Sequence, residues 1–314
     1  YRGDPLTKIG TTSALRRAWF RLRWPAIFAT LLISAFSVAN GMVDDWGRFG
    51  DGFSNLMVFV NESLWPPDWS VTEPQAYPPC LTAPGLAFTC STAWIGMVET
   101  LKIAFVATVL GCCISLPLSL VAARNLNPAW LALVTRALFA ACRSLPSIVW
   151  AIFFVILIGL GPLAGILAMT VYTVGYLGKL QYEAIEGLDR GPLDASRAMG
   201  QSGLERNIGV VLPEAANGLI SQAIFMFEYN VRHGTVIGIV GAGGIGYYIN
   251  LYLRFLQYDK VMAYLIIIFM VVLILDQISI LARSVFTEET NVKRPSWWSV
   301  FLPAAVLSRG DDEK

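Results

Sequence analysis

Long apolar runs, separated by short charged stretches, dominate the pattern of this chain. Because the hydrocarbon core of a bilayer is about 30 Å thick, a helix of about 20 apolar residues is long enough to cross it. Four such runs, with few or no charged residues, predict membrane spans at about 25–43, 103–122, 212–227 and 261–282. The pattern is therefore typical of an all-α polytopic membrane protein.

A fifth apolar run, residues 144–178, contains 35 residues without a charge and is too long for one helix of normal tilt. Gly159-Leu160-Gly161-Pro162 lies near its centre, and a Gly-Pro pair breaks a helix. We therefore predict a hairpin of two short spans with an external turn. This hairpin brings the total to about six spans and returns the chain to the cytoplasm at Lys179.

The distribution of charge predicts the orientation. Residues 1–24 hold six basic residues and one acid, whereas residues 44–94 hold six acids and one base, Arg48. Since basic residues stay on the cytoplasmic side of a first span, the N-terminal segment is expected inside and the 44–94 loop outside. With six spans, the tail at 286–314 also begins in the cytoplasm.

Two segments leave alternatives open. A signal peptide is the rival interpretation of residues 16–43, but the apolar run is about 19 residues long and no small-x-small cleavage site closes it clearly. Residues 129–143 carry Arg136 and Arg143 on an apolar background. This segment either lies along the inner interface or begins the third span.

Composition narrows the class of protein further. Of the 314 residues, 55% are hydrophobic and 14% are charged, and the mean hydropathy is +0.58, which excludes an ordinary soluble domain. The net charge of +1 gives no reason to expect nucleic acid as a partner. The single histidine, His233, forbids an HExxH zinc site, and neither a GxSxG elbow nor a GxxxxGK(S/T) phosphate loop occurs. We therefore expect no catalytic site, metal or cofactor in this chain.

A polar stretch between the apolar runs carries the most specific motif. It reads Asp194-Ala195-Ser196, three residues, Gly200, nine residues, Val210, one residue and Leu212-Pro213. This stretch resembles the coupling-loop signature EAA-x3-G-x9-I-x-LP of ABC-importer permeases, with Asp for Glu, Ser for the second Ala and Val for Ile. The resemblance implies a helix that receives motion from a separate ATPase. The alternative is an ordinary amphipathic helix in a cytoplasmic loop.

Residue chemistry also predicts a helix at this place. Gly191-Pro192 is a good entry, because proline at the first helical position loses no hydrogen bond, and Gly200 and Gly203 are able to end the helix. A face of small residues, Ala195, Ala198 and Met199, would suit the groove of another protein. The resemblance places the coupling loop at about 179–207. Its candidate coupling residues are Glu183, Asp194, Ala195, Ser196, Ala198, Gly200, Leu212 and Pro213.

Further segments, between residues 95 and 285, are similar to phosphonate-type permeases. Among them are Leu101-Lys102-Ile103-Ala104-Phe105, Leu116-Pro117-Leu118-Ser119, Arg143-Ser144-Leu145-Pro146, Glu183-Ala184-Ile185-Glu186, Asp189-Arg190-Gly191-Pro192 and Phe227-Glu228-Tyr229-Asn230-Val231-Arg232. The chain thus resembles the membrane subunit of a phosphonate-type ABC importer, which implies a type I permease fold with both termini cytoplasmic. Residues 71–92 of the external loop look inserted relative to that family.

The resemblance also implies a function and an assembly. The function is import of phosphonate or a related phosphorus oxyanion across the bacterial cytoplasmic membrane by alternating access. The expected partners are a second copy of the chain, two ATP-binding cassette subunits that bind ATP and Mg, an extracytoplasmic binding protein and the lipid bilayer. The alternatives are a type I importer for another small solute, a secondary transporter, which would need ionisable residues in several spans, and a membrane enzyme, which would need a nucleophile–base pair.

Four polar residues cluster where the predicted fifth span ends, namely Glu228, Asn230, Arg232 and His233. Ionisable groups inside a membrane are costly and usually face an interior pathway or pair with one another. We therefore consider these residues candidates for the translocation pathway. The alternative is a Glu228–Arg232 pair at i,i+4 that only stabilises the fold. Asp276 in the last span is expected to be structural, bonded to a backbone donor or to Arg283.

A glycine-rich segment follows this cluster. Gly241-Ala242-Gly243-Gly244-Ile245-Gly246 fits the dinucleotide-binding pattern G-x-G-x-x-G, but its flanks are membrane spans and not a βαβ unit. We predict instead a non-helical or tightly packed backbone that passes between helices.

The five cysteines divide by location. Cys112, Cys113 and Cys142 lie in or beside membrane segments, where a thiol mostly acts as a small apolar filler. Cys80 and Cys90 lie in the external loop, where an oxidising exterior permits a disulfide. The alternative is two free thiols, and no CxxC metal spacing occurs.

Overall fold

The computed structural model describes residues 7–43, 45–74 and 87–286. The chain divides into two compact units, residues 1–62 and 63–314. The first unit contains helices α1 (Thr7–Met42) and α2 (Gly47–Phe59). The described part of the second contains α3 (Thr92–Ala122), α4 (Ala129–Ser144), α5 (Ser147–Ile158), α6 (Pro162–Glu186), α7 (Arg190–Ala198), α8 (Gly203–Arg206), α9 (Leu212–Ile237), α10 (Ile245–Arg254) and α11 (Tyr258–Phe286). These residues form no strand, which agrees with the predicted all-α class.

The helix lengths confirm most of the predicted spans. Among the described residues, the segments long and apolar enough to cross a membrane are Trp24–Met42, Thr92–Ala122, Pro162–Glu186, Gly203–Val240 and Tyr258–Ser284. Helices α4 and α5 form a sixth candidate, with a bend of 83° between them. The bend falls at Leu145-Pro146, where the residue before proline is extended, as proline favours.

The predicted hairpin of two short spans is only partly correct. The predicted turn is present, because Gly159 and Gly161 adopt positive φ angles of 94° and 137°. However, α6 is a full-length helix of 25 residues. Helix α5 has only 12 residues, or about 18 Å of length, and reaches the length of a span only together with α4. Residues 129–143 therefore form a helix of their own, α4, which counts toward a span only when it is taken together with α5 across the bend.

Two helices are longer than predicted. Helix α3 begins at Thr92 and not near 103, and α9 ends at Ile237 and not near 227. Both extensions contain charged residues that have partners inside the bundle. Glu99 accepts a hydrogen bond from the Gly244 N–H at 3.1 Å, and Glu228 forms an ion pair with Arg232. Hydropathy places the end of a span at such residues, whereas the helix continues because pairing offsets the cost of burial.

Helix α6 lies at the centre of the second unit and packs on α3, α4, α5 and α9. Small residues make the contact with α3 close. Ala104 and Ala107 of α3 and Ala168 of α6 are fully buried, and Gly111 faces Thr173 without room for a Cβ atom. Without a strong hydrophobic force between helices in lipid, such close packing is the main source of association.

The glycine-rich segment is non-helical and packed between helices, as predicted. After a 3-10 turn at Gly238–Val240, Gly241, Gly243 and Gly244 have φ angles of 88°, 83° and 77°. The carbonyl of Gly241 accepts a hydrogen bond from the Gly161 N–H at 3.0 Å, which joins the segment to the external turn. Helix α10 then begins where the Ile245 N–H donates to Thr100 Oγ1 at 2.9 Å.

The segment around Asp68 attaches to the start of α11. The Asp68 N–H donates to the Asp259 carbonyl at 3.2 Å. Hydrogen bonds from the Ser70 backbone N–H, and also from its hydroxyl, hold the pKa of Asp68 below its ordinary value. The carboxylate therefore stays ionised as the N-cap of the short turn at Trp69–Thr72.

Cysteine states divide as the sequence suggests. Cys112, Cys113 and Cys142 are free thiols, whereas Cys90 is disulfide-bonded. Its expected partner, Cys80, lies outside the described residues, so the Cys80–Cys90 pairing stays a prediction.

Candidate functional site

Helix α7 presents a small exposed face. Ala195, Ala198 and Met199 are exposed, and Met199 retains 69% of its accessible surface. Gly200 ends the helix with a φ of 73°, which an L side chain rarely adopts. Ser196 points the other way: it is fully buried, and its hydroxyl donates to the Leu193 carbonyl at 2.9 Å. Of the predicted coupling residues on α7, Ser196 therefore lies on the buried side of the helix and not on its exposed face.

The buried side of α7 rests on the ends of three spans. Leu193 packs in a hydrophobic cluster with residues from the end of α3, the end of α6 and the entry to α9; these are Ala123, Ile185, Val211 and Ala215. Leu193 thus connects α7 by direct packing to the ends of three apolar helices. Leu212 and Pro213 open α9 beside this cluster, half-buried and exposed respectively.

A hydrogen bond from Arg197 joins α7 to the segment after α3, and two ion pairs lie around it. Asp194 pairs with Arg197 at 3.0 Å, and Arg197 also donates to the Asn125 carbonyl at 2.8 Å. Beneath them, Arg136 of α4 pairs with Glu186 at the end of α6. The sequence did not reveal Arg136 or Glu186 as supports, because their contact joins residues 50 positions apart. The remaining predicted coupling residue, Glu183, is exposed on α6 and pairs with Lys179 at 3.5 Å.

The candidate pathway residues lie near the middle of the bundle. Asn230 is 1% exposed, and its amide donates to Thr108 Oγ1 at 2.9 Å and to Thr173 Oγ1 at 3.0 Å. Thr108 lies one residue from the midpoint of α3, and Thr173 lies one residue from the midpoint of α6. Asn230 therefore joins α9 to α3 and α6 at half height. The two threonine hydroxyls supply the hydrogen bonds that lipid tails cannot offer to a buried amide.

Another face of α9 forms an ionic ring with α11. Arg232 pairs with Glu228 and, at 2.7 Å, with Asp276, while Arg283 approaches Glu228 at 3.5 Å. The ring holds two acids and two bases, so its formal charge is zero. The prediction for Asp276 named Arg283 or a backbone donor; the structure pairs it with Arg232 instead, because α9 and α11 bring these side chains together. These contacts match the structural alternative, and a pathway role for Arg232 stays a prediction.

A third face of α9 carries an aromatic cluster, which consists of Tyr172, Tyr176, Tyr229 and His233. The ring of Tyr229 stacks on Tyr172 at 5.9 Å, on Tyr176 at 5.8 Å and on His233 at 4.1 Å, with interplanar angles from 9° to 25°. The hydroxyls of Tyr172 and Tyr229 lie 3.0 Å apart. His233 Nδ1 lies 3.1 Å from Ser147 Oγ at the start of α5. The sequence prediction included His233 but missed the tyrosines, because a tyrosine in an apolar run reads as one more hydrophobic residue.

Comparison with known proteins identifies the family. Residues 115–285 match the model of the family described as binding-protein-dependent transport system inner membrane component. The chain belongs to this family. It is therefore a multi-pass transport component of the inner membrane, as its apolar helices also indicate.

Two curated relatives of this inner membrane component have similar sequences. The phosphate-import permease protein PhnE of Mycolicibacterium smegmatis is 37% identical over 190 residues, which cover 59% of this chain and 35% of that protein. The phosphite transport system permease protein PtxC of Stutzerimonas stutzeri is 39% identical over 196 residues, covering 62% and 71%. The chain thus matches about a third of the mycobacterial protein.

A solved structure confirms the fold of the membrane component. The MetNI methionine ABC transporter, in an inward-facing conformation, contains a chain with a TM-score of 0.57 and 27% identity to this one. The match covers 62% of this chain and 97% of that chain. The predicted type I ABC-importer permease fold is therefore correct.

Proposed function

We propose that this chain is the membrane-spanning subunit of an ATP-driven importer for phosphonate, phosphite or phosphate. The observation that carries the proposal is the exposed face of α7, which bears the coupling-type signature and packs beneath on three span ends. The names of the two curated relatives, which refer to phosphate and phosphite, support the substrate class. A related importer for a different small solute remains the second candidate.

The proposed assembly contains two copies of this chain, two ATPase subunits and an extracytoplasmic binding protein. The ATPase subunits hold ATP and Mg, and the groove of each closes on Ala195, Ala198 and Met199. ATP binding and hydrolysis move α7, and the cluster around Leu193 passes this motion to α3, α6 and α9. The spans then alternate between outward-open and inward-open arrangements.

Adding a large, charged side chain at one exposed position of α7 tests the coupling role. Ala195→Arg places a long cation on the docking face, whereas Ala195→Ser changes the size of the side chain very little. In proteoliposomes with the ATPase subunits and the binding protein, we expect Ala195→Arg to abolish substrate-stimulated ATP hydrolysis and Ala195→Ser to retain it. Both variants should insert into membranes at the wild-type level. Full stimulation of the arginine variant would show that α7 is not the coupling element.

The substrate class is tested separately, on the wild-type complex. We expect ATP-dependent uptake of at least one of phosphite, methylphosphonate and phosphate, and binding of the same anion by the binding protein. If the complex hydrolyses ATP but takes up none of the three, the coupling role stands and the phosphorus oxyanion is excluded as substrate.

A further inference from the structure

Helix α4 runs along α6 from the end that lies beside α7 to the middle of α6. At that end, Arg136 of α4 pairs with Glu186, the last residue of α6. Seven residues further along α4, the backbone nitrogen of Arg143 lies 2.8 Å from the place where a Cβ atom of Gly175 would stand. Gly175 is one residue from the midpoint of α6, and it lies 11 residues from Glu186, or about 16 Å along the helix axis. Because the core of a bilayer is about 30 Å thick, Arg143 leaves α4 at half height of a span.

The charge of Arg143 has no counter-charge in the part of the chain that the structure describes. Its side chain is half-buried and forms neither an ion pair nor a hydrogen bond with another described residue. By contrast, Arg136, Arg232 and Arg283 each pair with a carboxylate of another helix. From half height, an arginine side chain is too short to reach the membrane surface. An ionised group at such depth is costly unless it faces a polar pathway or a partner, so Arg143 does not face lipid.

The backbone next to Arg143 is open at the same depth. Leu145 is extended, with φ of −101° and ψ of 138°, and Pro146 follows with φ of −57° and ψ of 149°. Both residues, and Ser144 before them, are exposed on the chain. Inside a membrane, non-helical backbone is tolerated only where protein covers it or where it lines a water-filled cavity, and broken helices near the middle of the membrane line the substrate site in many secondary transporters. A water-filled cavity at this bend accounts for both the exposed backbone and the unpaired charge.

We propose that Arg143 contacts the transported phosphorus oxyanion as it passes the bend between α4 and α5. This inference rests on the proposed function and names a residue that meets the substrate. Phosphite, phosphonate and phosphate all carry negative charge and several P–O oxygens, and a guanidinium binds such oxygens with two parallel N–H groups. The ionic ring of α9 and α11 holds two acids and two bases and supplies no net charge. Arg143 therefore supplies the positive charge that an anion needs in a low-dielectric region.

Uptake and ATP hydrolysis by the complete complex in proteoliposomes test the inference, with whichever of phosphite, methylphosphonate and phosphate the wild type takes up. Arg143→Gln removes the charge and should lower the initial uptake rate by about tenfold or more, the effect of a lost charge-assisted hydrogen bond. Arg143→Lys keeps the charge and should give an intermediate rate. Because Arg143 meets the passing anion and not the ATPase, ATP hydrolysis should fall less than uptake in Arg143→Gln. Arg254→Gln, which removes an exposed arginine at the end of α10, is the matched control and should transport at the wild-type rate.

The outcomes separate this inference from the proposed function. Absence of uptake of all three anions by the wild-type complex would refute the proposed function and this inference with it. Wild-type uptake together with an unchanged rate in Arg143→Gln would overturn the contact with the anion alone. Dissociation of the two copies by Arg143→Gln in size-exclusion chromatography would also overturn it and assign the charge to subunit contact. An equal fall of uptake and ATP hydrolysis with a lower thermal midpoint would assign Arg143 to the scaffold, and equal rates in Arg143→Gln and Arg143→Lys would exclude a role for its charge.

Discussion

Gly175 is a position where one added methyl group would push two helices of the membrane component apart. It lies on α6 where α4 crosses, and a Cβ atom there would lie 2.8 Å from the Arg143 N, from Cys142 Cβ and from the Phe139 carbonyl oxygen. Ordinary contact begins at 3.4 Å, so α4 must retreat by about 0.6 Å (3.4 minus 2.8) at all three points, a misfit of the kind that overpacking produces. Two of the three atoms belong to the backbone and cannot rotate away.

The magnitude follows from two opposing terms. Gly→Ala in a helix gains about 1 kcal/mol of intrinsic propensity, whereas overpacking of a close contact costs about 1–3 kcal/mol. We expect Gly175→Ala to lower the free energy of unfolding by up to about 2 kcal/mol. Gly218→Ala on α9 is the matched control, because a Cβ atom there has nothing within 4 Å. It should keep only the gain in propensity and stabilise the chain.

Thermal unfolding of both variants in the same detergent, followed by the loss of the monodisperse peak in size-exclusion chromatography, measures the difference. Gly175→Ala should unfold several degrees below Gly218→Ala. Since α4 also carries Arg136, which pairs with Glu186 beneath α7, the variant should show weaker ATPase stimulation as well. Equal midpoints for the two variants would refute the reasoning, because the contact between α4 and α6 would then be loose.

Two further predictions concern the ionic ring and the external loop. The double variant Glu228→Arg, Arg232→Glu should have a lower thermal midpoint and less uptake than the wild type, because the new glutamate faces Asp276 and the new arginine faces Arg283. Arg232→Lys, which keeps the charge, is the control. Wild-type stability and uptake in the double variant would show that neither the ring nor a pathway role for Arg232 matters. Cys80 and Cys90 should appear as one linked peptide in non-reducing mass spectrometry of protein made in an oxidising compartment, and free thiols at both positions would remove the pairing.

The sequence predicted those features that depend on local pattern. The α7 helix follows from Gly191-Pro192 and Gly200, and the glycine-rich segment follows from its density of glycine, because both depend on backbone freedom within a few residues. The ionic ring did not follow in full. The Glu228–Arg232 pair has helical spacing, whereas the contact between Arg232 and Asp276 depends on how α9 and α11 are rotated against each other.

The tyrosines of the aromatic cluster were missed although a signal exists. Tyr172 and Tyr176 are four residues apart near the end of an uncharged run, and Tyr229 and His233 repeat that spacing on α9. Each pair alone fits an ordinary hydrophobic stripe. Only the packing of α6 on α9 brings the pairs into one stack, which one sequence does not determine.

The three faces of α9 at half height contact different neighbouring helices. Asn230 is saturated by threonines of α3 and α6, and Arg232 is held by two carboxylates, so these faces tie α9 to its neighbours. The aromatic face meets the start of α5, where Ser147 Oγ lies 3.1 Å from His233 Nδ1. Leu212 lies 18 residues below Asn230, about 27 Å away along a helix. Since Leu193 of α7 packs in one cluster with Ala215 of α9, a displacement of α7 has a continuous helical path to the contacts of Asn230 and Arg232 at half height.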